Sequence, residues 1–439
     1  MRMGAQRGST GWWEDNHRNT QTINLATTTS ETMSTLSPNQ KDRLRMSRIP
    51  SDTGPSIATT PASARSEAAT VRRRRALSVQ RRTLSHTWHS YVETSNNNTW
   101  LTPLIVILIM LGLFAINPTT TNPIYHFLFI SYPVSGEPPR PYPTEPSIYH
   151  NNPQLYGKGL YDIAFCVFYT IVFSFAREFV MQVLLKPLAR RWGIKEGKKM
   201  SRFLEQAYTF CYFSISGTFG LIVMSRTDMW FFNTPAFWQA YPHRALPLDF
   251  KFYYLLQASY WLQQALVLLL QLEAPRKDFK ELVLHHIITL LLIGLSYRFH
   301  FTATGVAVFI TMDVSDVFLA LSKCLNYLDH PLGTPCFGFF ILVWFYCRHY
   351  LSAQILISCL TTYNNPPYTP FPEPIDWLNQ QYKCWIAKPI TVGLLGALLG
   401  VNIFWSWLIL RIAGRFVWKG EAKDERSDDE EEEEKKKGE

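Results

Sequence analysis

The stretch Leu284–Lys323, LHHIITLLLIGLSYRFHFTATGVAVFITMDVSDVFLALSK, reads as two apolar helices joined by a short turn, yet it holds His285, His286, Asp313 and Asp316. An aspartate at the centre of a membrane helix costs roughly 2.5–3.5 kcal/mol on insertion scales. Adjacent helical residues point ~100° apart, so one histidine aims at a given atom and the other toward a neighbouring helix. Thr289 falls one turn beyond His285, on its face. Asp313 and Asp316, three apart, share a helix face. Two helices joined by a short turn are antiparallel neighbours. The spacing therefore predicts that imidazoles and carboxyls meet at one depth, ~10–15 Å from one membrane surface.

Outward from this pair the same apolar pattern recurs. About 20 apolar residues span ~30 Å of hydrocarbon, and runs near that length predict eight spans at 100–117, 159–185, 204–224, 251–271, 281–299, 303–323, 337–360 and 390–412. The fold class is accordingly an all-α polytopic membrane protein. The seven cysteines lie mostly inside these runs without CxxC pairing, as small core residues do. Residues 1–99, rich in Ser, Thr, Asn and Arg, lack the apolar content to offset chain entropy and read as a disordered basic tail. The first span, 100–117, then precedes a membrane domain over 159–415 and an acidic tail over 416–439.

Loop charge sets orientation. Lys186–Arg202 and Arg276–Lys280 are basic, and the positive-inside rule puts both in the cytosol. Eight spans then place both termini there. The chain ends Lys436-Lys437-Gly438-Glu439, a KKxx ending of the kind that coat proteins read to return membrane proteins to the endoplasmic reticulum. Arg73-x-Arg75-x-x-Ser78 suits a basophilic kinase, and Ser427 before seven acids suits an acidophilic one; a topology-setting cluster and a solvated charge run are the plainer readings.

A carboxylate beside an imidazole fixes its tautomer and stabilises the imidazolium, which makes a strong general base. Four convergent groups favour such a site over a mutually satisfied helix clamp. Two His and two Asp also match the donor types of a zinc site, whereas a di-iron hydroxylase needs many more histidines than His300, His330 and His349 add. Gln257, Gln263 and Gln264, Arg177-Glu178 and Arg348-His349 add further polar groups within predicted spans. With the two basic loops they predict an electropositive face that would draw a phosphate-bearing thioester such as acyl-CoA, with Arg177, Arg276, Lys277 and Arg348 as its contacts.

These residues resemble the signature of ceramide synthases, the longevity-assurance branch of the TLC-domain membrane proteins. The likeness extends to WFFNTPAFWQAYPH (Trp230–His243), FYYLLQASYWLQQ (Phe252–Gln264), LEAPRKDFKELVLHH (Leu272–His286) and WFYCRHY (Trp344–Tyr350), over about 159–415. The resemblance implies N-acylation of a sphingoid base by a fatty acyl-CoA in the endoplasmic reticulum. It assigns His285, His286, Asp313 and Asp316 to catalysis, with no metal and no cofactor beyond acyl-CoA as co-substrate. It also implies a ring of helices around a lipid cavity, built from the second to seventh spans with the first and eighth outside. Trp230, Asn233, Tyr260, Gln264, Thr289 and Met312 are its expected lining. Met312 stands where animal members often carry a histidine proposed to hold the acyl group, and residues 118–158 show no homeobox-like pattern. Both departures resemble the fungal type, with very long acyl chains, dihydrosphingosine or phytosphingosine as acceptor, a small single-span accessory subunit and dimerisation as implied partners. No nucleic-acid partner is expected. Alanine at any of the four site residues is expected to abolish turnover in a folded protein. The rival readings are a non-catalytic TLC protein that binds sphingolipids or serves the translocon, and a zinc amide hydrolase acting on ceramide.

Overall fold

The computed structural model describes residues 70, 72–75, 90–95, 97–134, 147–239, 241–273, 278–364 and 386–419. Ser78, Arg276, Lys277, Ser427 and the KKxx ending lie outside the described residues. Of residues 1–84, Arg72–Arg75 are helical and exposed. The remainder, from Ser85, is a bundle of long helices. These are α1 (Leu101–Ile116), α2 (Tyr161–Arg191), α3 (Lys198–Ser225), α4 (Leu248–Leu269), α5 (Phe279–Arg298), α6 (Thr302–Tyr327), α7 (Gly333–Thr361) and α8 (Ala387–Lys419). Both α2 and α7 contain a π-helical turn, Val180–Leu185 and Tyr346–Leu351.

Helices stand at all eight predicted places, but six, α2, α3 and α5–α8, are long and apolar enough to cross a membrane by themselves. At 16 residues α1 reaches only about 24 Å. The 22 residues of α4 are long enough, but Lys251, Gln257 and Gln263 are buried within it, a polar load that neighbouring helices must satisfy. The expected disorder does not extend to 90–95, which are helical: Tyr91 and Ser95 hydroxyls bond that of Thr102 at 2.8 and 2.6 Å. The six described cysteines are free thiols.

The helices form a ring in the order α2, α4, α5, α8, α7, α6, α3, with α1 packed outside against α2. The eighth span therefore closes the ring instead of lying outside it. Its Leu395, Leu398 and Val401 are buried, the first with the main core and the other two with Ile288 and Met312. More than half of the central window of α6 is buried, the largest share among the spans. It packs most extensively on α3, where Gly220 allows the approach: a Cβ there would lie 2.5 Å from the Tyr253 hydroxyl and 2.8 Å from Ile310 Cγ1.

The end of the bundle opposite the histidines is clamped. Lys251 Nζ pairs with Asp162 at 2.7 Å and donates to the Ser131 and Gly157 carbonyls, while the Tyr297 hydroxyl donates to the other Asp162 oxygen at 2.7 Å. Burial pulls His243, in the adjoining loop, down to about 4. Two short strands, Leu155–Tyr156 and Leu246–Pro247, pair antiparallel above it.

Gly220→Ala should lower the unfolding midpoint of the detergent-solubilised protein, by about 1–3 kcal/mol of overpacking. Gly294→Ala on α5, where a Cβ meets nothing within 4 Å, should be neutral or stabilising. Equal midpoints for the two variants would contradict the close α3–α6 approach.

Candidate active site

The initial turns of α5 carry His285 and His286 about 9–10 Å from its start. They open onto a chamber of ≈ 550 Å³ bounded by α3–α8. Tyr260, Gln264, Asp316 and Arg348 line the same chamber, and Phe340, Trp344, Trp405 and Ile409 give it an apolar wall. Past His285 lies a second cavity of ≈ 40 Å³, lined by Thr289, Leu292, Phe309, Met312 and Leu398 among others. The lipid cavity expected from sequence is thus wide at its polar end and narrow at its apolar end, where side chains pack closely. Trp230 and Asn233 line neither cavity; both stand in the loop between α3 and α4, at the opposite end from the histidines.

The two aspartates have different partners. Asp316 lines the chamber and receives Arg348 Nη2 at 2.6 Å. Asp313 is fully buried behind the wall, where one oxygen accepts from Ser216 at 2.7 Å and Gln257 at 2.5 Å and the other has no hydrogen-bond partner. Gln257 is held in turn by Tyr212 and Tyr253. The expected meeting at a helix–helix contact is replaced by a chamber because α5 packs mainly on α8 and α4, and α6 mainly on α3 and α7.

Arg348 sits in the π-helical turn of α7, whose extra residue per turn rotates the guanidinium inward. Its Nε donates to Ser315 at 2.7 Å, its Nη1 to Asn402 at 3.3 Å, and its Nη2 to the Met312 carbonyl at 3.3 Å as well as to Asp316. The guanidinium also lies 4.4 Å from the centre of the Trp344 ring. Arg177, expected at the substrate phosphates, lines neither cavity: it is bonded to Glu178 and, at 2.8 Å, to Glu273.

The imidazoles differ. His286 Nδ1 donates to the Leu282 carbonyl at 2.9 Å, which leaves the lone pair on Nε2 of the neutral ring. His285 Nε2 lies 3.5 Å from the Thr289 hydroxyl, and its Nδ1 is buried without a hydrogen-bond partner. Its ring packs edge-on between Trp261 and Trp405, with centroids 5.6 and 5.1 Å away.

Among the described residues, carboxylates outnumber cations at the chamber. Glu205, Glu273, Asp278, Glu281 and Asp316 face it against Lys323, Arg348 and Arg411. In the first basic loop Arg190 pairs with Glu196 at 2.5 Å and Lys199 with Asp329 at 3.0 Å. Sequence reasoning missed Ser216, Ser315, Asn402, Trp261 and Trp405. Small polar residues in apolar helices commonly bond their own backbone, so nothing in Ser216 or Ser315 signals a partner on another helix.

The pairing alters one expectation. Asp316→Ala leaves Arg348 buried and uncompensated, so this variant should lose about 3–5 kcal/mol of stability rather than remain fully folded. Adding Arg348→Met should restore most of it, read as the thermal midpoint in detergent. A double variant no more stable than the single one would show that the pair does not govern stability.

A family model described as the TLC domain matches residues 202–411. The chain is 48% identical over 384 residues to sphingosine N-acyltransferase lac1 of Schizosaccharomyces pombe, covering 88% of this chain and 92% of that one. It is 41% identical to ceramide synthase LAG1 of Saccharomyces cerevisiae, covering 92% and 96%. Against sphingosine N-acyltransferase-like protein FUM17 of Gibberella moniliformis it is 45% identical, covering 75% and 82%. Six apolar spans, a polar chamber within their ring and likeness over almost the whole chain agree: the protein is a multi-pass membrane protein of the TLC-domain ceramide synthase family.

Proposed function

We propose that this protein transfers the acyl group of a fatty acyl-CoA to the amine of a sphingoid base, releasing ceramide and CoA. The observation that carries the reading is the placement of His285, with an unpartnered Nδ1, at the inner end of a polar chamber where a narrow apolar cavity begins. Relatives matched over most of the chain bear the names of acyltransferases, which favours chemistry over lipid binding alone.

In the tautomer that keeps the proton on His285 Nε2, which faces the Thr289 hydroxyl at 3.5 Å, Nδ1 carries the lone pair and takes the proton of the attacking nitrogen. The N–C bond forms as the carbonyl π pair moves onto oxygen. Collapse of that oxyanion breaks the C–S bond, and the proton held by the imidazole passes to the CoA thiolate. Asp316, held by Arg348, supplies negative charge to the chamber in which the imidazolium forms. Asp313 positions α6 against α3 and α4 through Ser216 and Gln257. The carboxylates at the chamber suit the cationic head of a sphingoid base, and the CoA phosphates fall to Lys323, Arg411 and the basic loop bearing Arg276 and Lys277.

Residence in the endoplasmic reticulum, with both termini cytosolic and both marginal helices spanning, is part of this reading; it is supported by the two basic loops and the KKxx ending, which a retrieval coat would bind. A single-span accessory subunit, dimerisation and very long acyl chains belong to the same reading.

Purified protein given labelled acyl-CoA and dihydrosphingosine should form ceramide and free CoA one for one. His285→Ala should cut turnover by about 10²–10⁴-fold in a protein that still folds and enters the membrane. Near-normal turnover in that variant would remove His285 from the mechanism, and binding of both lipids without CoA release would remove acyl transfer.

A further inference from the structure

Acyl transfer requires a hydrogen-bond donor where the carbonyl oxygen gains charge, and the inference below rests on the acyl-transfer reading. Arg348 already spends four of its five N–H groups on Ser315, Asn402, Asp316 and the Met312 carbonyl, and it lines the chamber but not the apolar cavity. The two tryptophans beside His285 differ in their indole N–H. Trp405 Nε1 donates to Asp278 at 3.2 Å. Trp261 is 8% exposed, and its Nε1 has no hydrogen-bond partner. A buried donor left unanswered is costly, and the indole nitrogen is a donor only.

Position sharpens the contrast. Trp261 and His285 are the two residues that line both the polar chamber and the apolar cavity, so they form the waist between them. Their unpartnered atoms are a donor, Trp261 Nε1–H, and a base, His285 Nδ1. The reaction presents the complementary pair at one carbon, an oxygen that gains negative charge and a nitrogen that loses a proton. A thioester whose alkyl chain enters the apolar cavity and whose CoA lies toward the chamber puts its carbonyl at this waist.

We infer that Trp261 Nε1–H donates to the thioester carbonyl oxygen of bound acyl-CoA and stabilises the oxyanion during N–C bond formation. Trp261 is thereby a catalytic residue. Its bond to the oxygen strengthens as the π pair moves there, and relaxes when the pair returns and the C–S bond breaks.

The test uses the full chain in lipid nanodiscs and two unreactive probes: an S-alkyl thioether of CoA, which lacks the carbonyl, and a ketone in which CH₂ replaces sulfur and the carbonyl is kept. Trp261→Phe should weaken ketone binding about tenfold, leave thioether binding unchanged, raise KM for acyl-CoA by about the same factor as the ketone, and lower kcat about 10²–10³-fold. Should Trp261→Phe not purify as a folded protein, 3-benzothienylalanine at 261, isosteric but without the N–H, carries the same expectation. Equal affinities for both probes in variant and wild type, or equal losses for both, overturn the assignment of the N–H. Failure of the wild-type protein to bind either probe overturns the acyl-CoA reading itself.

Discussion

The interior is organised around one demand: a guanidinium within a helical membrane bundle must have its charge and its N–H groups answered by protein. Arg348 meets it with Asp316, Ser315 and the Met312 carbonyl from α6 and Asn402 from α8. Three helices are thereby held in register at the depth of the chamber. The π-helical turn that contains Arg348 makes this geometry reachable, and the neighbouring His349 uses the same turn to bond Ser406 on α8 at 2.5 Å. A straight α-helix would distribute these two side chains differently around its axis.

That register leaves a chamber with two characters. Its wall is apolar where α7 and α8 face it, and carboxylates border it near the start of α5. An amphiphile with a cationic head and a long tail matches such a surface better than a polyphosphate does. The narrow cavity past His285 divides the space again, so that the histidine and Trp261 stand where polar and apolar regions meet. Chemistry on a thioester joining a long alkyl chain to a hydrophilic carrier belongs at such a boundary.

Much of this was legible from residues alone. The places of all eight helices follow from runs of apolar residues, and the rarity of buried charge singles out His285, His286 and Asp316. Hydropathy could not tell that α4 owes its place to packing, because Lys251 and Gln257 look unfavourable until Asp162 and Asp313 are seen beside them. Equal spacing made Asp313 and Asp316 look like a pair. The neighbours that separate them, Ser216 and Arg348, are 97 and 32 residues away in sequence. The eighth helix was expected outside the ring from the family resemblance alone, and an apolar run does not distinguish lipid from protein as its neighbour. Arg177 looked like a ligand for phosphate because Glu273 lies 96 residues along the chain.

The most direct measurement is an experimental density map with the unreactive ketone analogue of acyl-CoA bound. The account predicts its carbonyl at the waist, within hydrogen-bond reach of both His285 Nδ1 and Trp261 Nε1, its alkyl chain displacing the side chains that line the apolar cavity, and the Arg348–Asp316 pair intact. A carbonyl elsewhere in the bundle, or an alkyl chain lying outside the ring of helices, would contradict it.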